Sequence, residues 1–148
     1  MKRIVLPLDG SPVAESVLPV VADLARAGGA SVRLLRVMPL PSNYEDTHGR
    51  VVAYADQEME RLEGEALDYL RAVETRCGDL PVESRVRFGD PLEEILKEAD
   101  AFDADLIAVT TAGRSGLGRA VLGSVADRVF RKAGTPVLLY RPSPADLA

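Results

Sequence analysis

Apolar positions along the chain follow two alternating rhythms. Short runs rich in Val, Ile and Leu, "RIVLPLD", "VRLLRV", "VESRVRF", "DLIAVT" and "PVLLY", read as five strands. The segments between them carry apolar residues at helical spacing. In the first, Ala14, Val17, Leu18, Val21, Ala22 and Ala25 form one stripe, with Ser11 placed to cap, Pro12 suited to the first helical position, and Gly28 and Gly29 as the stop. The second, "VVAYADQEMERLEGEALDYLRAVETRC", is a long charged helix with Met59, Leu62, Ala66, Tyr69, Leu70 and Val73 on its apolar side. The third, "DPLEEILKEADAF", opens with a capping arrangement of Asp90, Pro91 and Glu93, and buries Leu92, Ile95, Leu96 and Ala99. The fourth, "GSVADRVFRKAGTP", starts at Gly123 and Ser124 and closes at Gly134 and Pro136.

Strict alternation of strand and helix predicts a parallel sheet covered on both faces, an α/β fold with five strands in the order 3-2-1-4-5. The length of 148 residues suits a single domain spanning 1–148. No repeat or low-complexity tract interrupts it, and "MPLPSNYEDTHGR" after the second strand is the longest polar loop.

Composition narrows the function. A net charge of -5 argues against a nucleic-acid-binding surface, which needs clustered Lys and Arg. The single Cys77 excludes an intrachain disulfide and, with only His48 beside it in the inventory, any recognisable zinc spacing. His48 reads as a solvated loop residue, because nothing near it in sequence supplies a catalytic partner. The apolar run in "MKRIVLPLDG" ends at Asp9, too short for a signal-peptide core, and no stretch is long enough to span a membrane. The expectation is a cytoplasmic protein with no membrane partner.

Candidate chemistry lies where chain leaves the carboxyl ends of the strands, since ligands of open parallel sheets bind there. Two glycine-bearing segments meet that edge: "LDGSP" after the first strand and "TTAGRSGLGRAVLGS" after the fourth. The second is about twice as long as a plain strand-to-helix connection of roughly two to six residues. Its glycines can bring amides close to an anion, and the helix beginning near Ser124 presents its positive dipole end. The plain alternative is a sharp connection in which Ser124 is an N-cap and Asp127 its box acid. A P-loop is excluded because Gly118 to Ser124 lacks the lysine and follows the wrong strand, and a dinucleotide fingerprint fails at Val121.

In these residues the chain resembles the universal stress proteins, which carry G-x2-G-x9-G-[ST] after the fourth strand of a five-stranded sheet. Gly113, nine intervening residues, Gly123 and Ser124 reproduce the latter part, and "RIVLPLDGSP" and "VRLLRVM" resemble the family's first two strands. Thr110 stands where the motif has its first glycine, and Ala112 where a histidine is often found. The resemblance implies ATP binding, with Mg2+ or Mn2+. Leu8, Asp9, Gly10, Ser11 and Val37 would surround the adenine and ribose. Thr110, Thr111, Gly113, Arg114, Ser115 and Gly116, with Gly123, Ser124, Val125 and Ala126, would hold the phosphates. It also implies a homodimer paired through the edge strand Pro136 to Tyr140, where an unpaired apolar edge invites association.

No catalytic constellation accompanies the motif, because Asp9 has no evident second group to work with it. The H-x-G-H of nucleotidylyl transferases, the S-G-G-x-D-S of ATP pyrophosphatases and the phosphoacceptor aspartate of receiver domains are all missing from their places. The expected function is an adenine-nucleotide-binding regulatory module in the stress response, at most a slow ATPase. The alternative is a dimeric interaction protein of the same fold that does not bind nucleotide.

Overall fold

The computed structural model describes residues 2–41, 49–112 and 123–147, with the backbone alone for 49–54. Five strands, β1 (Arg3–Pro7), β2 (Ser31–Met38), β3 (Val82–Phe88), β4 (Leu106–Thr110) and β5 (Val137–Tyr140), form one sheet in the order β3-β2-β1-β4-β5. Each adjacent pair is parallel, with Leu6 opposite Leu34, Ile4 opposite Leu106, Val32 opposite Val82 and Ile107 opposite Val137. The connections are α1 (Leu18–Gly28), α2 (Gly49–Glu74), α3 (Pro91–Phe102) and α4 (Ser124–Lys132).

The two-residue period of each strand divides the core between the faces of the sheet. Ile4, Leu6, Val32, Leu34 and Ala108 pack under α1 and α2 against Val17, Val21, Ala25, Leu70 and Val73. Val5, Leu35, Ile107 and Val109 face the other way, toward Leu92, Ile95 and Ala99 of α3 and Ala126 and Val129 of α4. The stripe expected before β2, Ala14 through Ala25, is buried at every position named. Along α2, Ala66, Leu70 and Val73 are buried, whereas Met59, Leu62 and Tyr69 are half-buried.

Boundaries shift for local reasons. The first strand ends at Pro7 instead of Asp9, because the Asp9 carboxylate accepts from the Ser11 amide (2.9 Å) and hydroxyl (2.6 Å) and bends the chain through Gly10 at φ 89°. Ser11 does cap, accepting from the Ala14 amide at 3.2 Å, but what it opens is a 3-10 turn, Ala14–Val17, ahead of α1. The long helix ends at Glu74, and Thr75–Cys77 tighten into a second 3-10 turn. A short terminal helix, α5 (Pro144–Leu147), was not expected; "SPAD" is its capping box, with Ser143 N–H donating to Asp146 Oδ2 at 2.8 Å and the Asp146 amide returning to Ser143 Oγ at 3.3 Å.

The larger surprise is charge inside α3. Glu98 is 2% exposed, accepts from Arg33 Nη1 at 2.8 Å and from Arg87 Nε at 2.7 Å, and so joins the helix to β2 and β3. Arg33 reaches Glu83 through Nη2 at 2.5 Å and lies 4.0 Å over the Phe102 ring. Glu94, also buried, accepts from Arg87 at 3.4 Å and from Lys97 at 3.1 Å. Gly89 turns β3 into α3 at φ 138°, an angle side chains rarely adopt, so the backbone favours glycine there; an added Cβ would lie 3.3 Å from that Glu94 side chain.

Candidate functional site

Because β1 pairs with β2 on one side and β4 on the other, the sheet reverses its order there, and the chain leaves β1 and β4 toward opposite faces. The crevice between them is a cleft of about 370 Å³, within the range of roughly 300–1,000 Å³ usual for small-molecule sites. Pro7, Leu8 and Asp9 come from the end of β1, Arg36, Val37 and Pro39 from the end of β2, and Val109, Thr110 and Ala112 from the end of β4. Pro91 and Ile95 of α3 close one side, and Gly123, Ser124, Val125 and Ala126 bring the start of α4 to the other. Apolar side chains from β2 and α3 therefore face a helix N-terminus across one opening. Such an arrangement suits a ligand with a flat apolar part and an anionic part.

The start of α4 carries no capping side chain among the described residues. Gly123 is its N-cap, with extended angles and no capping side chain, so Ser124 is the first helical residue and not the cap; Asp127 instead accepts from Arg131 at 2.9 Å. The Gly123 amide donates to Thr111 O at 2.6 Å, and a Cβ on Gly123 would lie 2.9 Å from that same oxygen. The close approach that requires glycine here is thus to the chain's own carbonyl at the end of β4. Thr111 spends both backbone groups on the fold, since its amide donates to Tyr140 O at 2.8 Å.

Of the residues singled out from sequence, Leu8, Asp9, Val37, Thr110, Gly123, Ser124, Val125 and Ala126 line the cleft together. Gly10, Ser11 and Thr111 lie beside it, shaping the turns that end β1 and β4. Gly113, Arg114, Ser115 and Gly116 fall outside the described residues. Sequence reasoning missed Pro7, Ala14, Arg36, Pro39, Pro91, Ile95 and Val109. For Pro91 a signal existed: a helix that follows a parallel strand must begin at the carboxyl edge, so the capping box at Asp90 already set Pro91 there.

Behind the cleft, Tyr69 of α2 donates its hydroxyl to Glu15 Oε2 at 2.7 Å, while Arg76 donates to the other oxygen of Glu15. Burial and then the Glu15 carboxylate push the Tyr69 phenol above its ordinary range, so it remains a proton donor. On the opposite wall Asp90 caps α3, accepting from the Glu93 amide at 3.1 Å, and receives Arg128 of α4 through both guanidinium nitrogens, at 3.2 and 3.3 Å. The Glu93 amide first, and then Arg128, hold the Asp90 carboxyl below its usual range. Among the described residues no group of three or more His, Cys, Asp or Glu is arranged to hold a metal ion. No helix among them is long and apolar enough to cross a membrane.

Residues 1–141 match the profile of the universal stress protein family. The chain belongs to that family. Universal stress protein MJ0531 of Methanocaldococcus jannaschii is 32% identical over 141 residues, covering 95% of this chain and 82% of its own. Among solved structures, protein MJ0577, studied for structure-based assignment of its biochemical function, superposes with a TM-score of 0.80 at 27% identity over 96% of each chain. A universal stress protein from Archaeoglobus fulgidus in complex with dAMP superposes with a TM-score of 0.62 at 25% identity, covering 94% of this chain and 97% of that one. The sheet order of this universal stress protein fold is the one the strand alternation predicted.

Proposed function

We propose that this universal stress protein binds an adenine nucleotide in the β1–β4 cleft and works as a nucleotide-responsive module of the stress response, with ATP and Mg2+ or Mn2+ as its ligand. The observation that carries the reading is the pairing, in one cleft, of an apolar wall at Val37 and Ile95 with the uncapped start of α4 at Gly123 and Ser124. An adenine fits the first and a phosphate the second. The dAMP complex of the Archaeoglobus relative supports the choice of base. Asp9, whose carboxylate also accepts from Ser11, is the carboxylate in the wall that the proposal turns toward the ribose or a divalent ion riding on the phosphates. Of the candidates near β4, Thr110 offers a hydroxyl at the cleft wall, and Gly113 to Gly116, outside the described residues, enter the proposal through the family motif alone.

The reading includes a homodimer formed through β5, an edge strand whose four residues are all half-buried, and a cytoplasmic setting in keeping with the lone Cys77. Light scattering at micromolar concentration tests the dimer, and Leu139→Lys should weaken it. A second reading, an interaction protein that binds no nucleotide, is favoured by Thr110 in place of the motif's first glycine. Denaturing freshly purified protein and chromatographing what is released should yield an adenine nucleotide. Calorimetry with ATP and Mg2+ should show saturable binding, and Ser124→Ala should weaken it by about 1 kcal/mol as one lost hydrogen bond. Absence of heat at millimolar ATP with folded protein hands the function to the second reading.

A further inference from the structure

The two helices that wall the cleft are anchored very unequally. α3 is held to the sheet by Leu92, Ile95 and Ala99 and by the buried Glu94 and Glu98, whereas α4 buries Ala126 and Val129, with Val125 and Ala133 half-buried beside them. These anchors are fewer and smaller than those of α3, so they resist displacement of α4 less strongly. What ties α4 sideways is Arg128, one turn below Ser124, forked onto the Asp90 carboxylate at the first turn of α3. A bidentate guanidinium–carboxylate pair fixes orientation as well as distance. Pro91 follows Asp90 immediately and Ser124 precedes Arg128 by four residues, so the pair joins the two helices close to the ends that wall the cleft.

We propose that Asp90 and Arg128 are positioning residues that set the width of the cleft, holding the start of α4 at the distance from α3 at which one ligand touches both walls. The ligand part of this inference rests on the nucleotide reading above; the mechanical part does not. With Arg128 47% and Asp90 36% exposed, the pair contributes little to stability, so its effect on geometry can be read apart from folding.

The test compares Asp90→Asn, Arg128→Gln, the double variant and Arg128→Lys in the full chain. Asn is as good an N-cap as Asp, so Asp90→Asn keeps the cap of α3 and removes only the ionic fork. Hydrogen exchange of peptides covering 123–132, measured without nucleotide, should quicken in each single variant, no further in the double, and less in Arg128→Lys, while thermal midpoints stay close together. Affinity for ATP with Mg2+ should fall roughly two- to fivefold in the single variants, with the double no worse. Unchanged exchange in 123–132 overturns the inference whether or not nucleotide binds. Additive losses in the double variant overturn it too, since they would mean the residues act separately. If the parent protein binds no ATP, the nucleotide reading falls, and the exchange result still decides whether the pair holds α4.

Discussion

The two faces of the sheet are built on different terms. Under α1 and α2 the contact is mainly apolar, with Leu34 and Leu70 wholly buried and the polar contacts of Glu15, Tyr69, Arg76 and of Ser84 with Glu74 outside that core. Under α3 the same sheet meets Glu98 of the helix, buried and gripped by two arginines from two strands. An apolar face can tolerate small slips, because any neighbouring apolar surface will serve. A buried carboxylate cannot, since displacement strips it of both partners in a medium that does not solvate it. The face that carries the buried charge also carries the helix that walls the cleft at Pro91 and Ile95. There, exact register matters to a ligand.

The comparison breaks most easily at Glu98. Glu98→Ala should destabilise the fold by about 3–5 kcal/mol, because Arg33 and Arg87 keep their charge and lose its partner. Chemical denaturation measures this, and a loss below about 1 kcal/mol would mean that water already satisfies the arginines. The apolar face gives the matching figure: Leu70→Ala should cost about 2–5 kcal/mol through transfer and cavity alone. Replacing Glu94, Glu98, Arg33 and Arg87 together by apolar residues of similar volume sharpens the contrast, since removing the whole buried network is expected to be near neutral in stability.

A smaller effect is expected where the cleft meets the sheet. Gly123→Ala forces Cβ against Thr111 O and should destabilise by about 1–3 kcal/mol, together with weaker nucleotide binding. At the opposite, amino edge of the sheet, the Lys2 and Arg3 amides donate to Asp105 Oδ2 at 2.6 and 2.9 Å, and these two bonds in that order hold its carboxyl below the usual range. A depressed folded-state value means the stabilisation is present above the ordinary aspartate pKa and is lost as pH falls through the folded one. Acid titration of stability should therefore be shallower in Asp105→Asn below about pH 4. Smallest is Gly64→Ala on α2, where an added Cβ meets nothing within 4 Å; a gain of about 0.5–1 kcal/mol is expected by thermal or chemical denaturation.

How much of this was legible in sequence divides along the same line. The apolar face follows from period alone: every residue in the stripe from Ala14 to Ala25 is buried, and the strand alternation gives the sheet order. The α3 face does not. Glu94 and Glu98 share a helical stripe with Ile95 and Leu92 only once Arg33 and Arg87 are brought over them, and those partners lie 65 and 11 residues away. The available hint was arginine inside β2 and β3, strands whose parallel neighbours bury both faces. In the site, the glycine spacing marked the start of α4, but the role of Gly123 depended on where Thr111 O would point. Arg36, Pro39 and Ile95 enter the cleft through tertiary packing that no local pattern records.

The bond from Gly123 to Thr111 has a consequence for how this chain can vary. It brings the end of β4 and the start of α4 together through a backbone contact of 2.6 Å, whatever the length of chain between them. Lengthening a segment whose ends are already held together costs only about 0.6 kcal/mol per doubling, so insertions between Thr111 and Gly123 are expected to leave the sheet and α4 in place. Sequence change there can alter what the chain displays at this edge of the sheet without rebuilding the scaffold behind it.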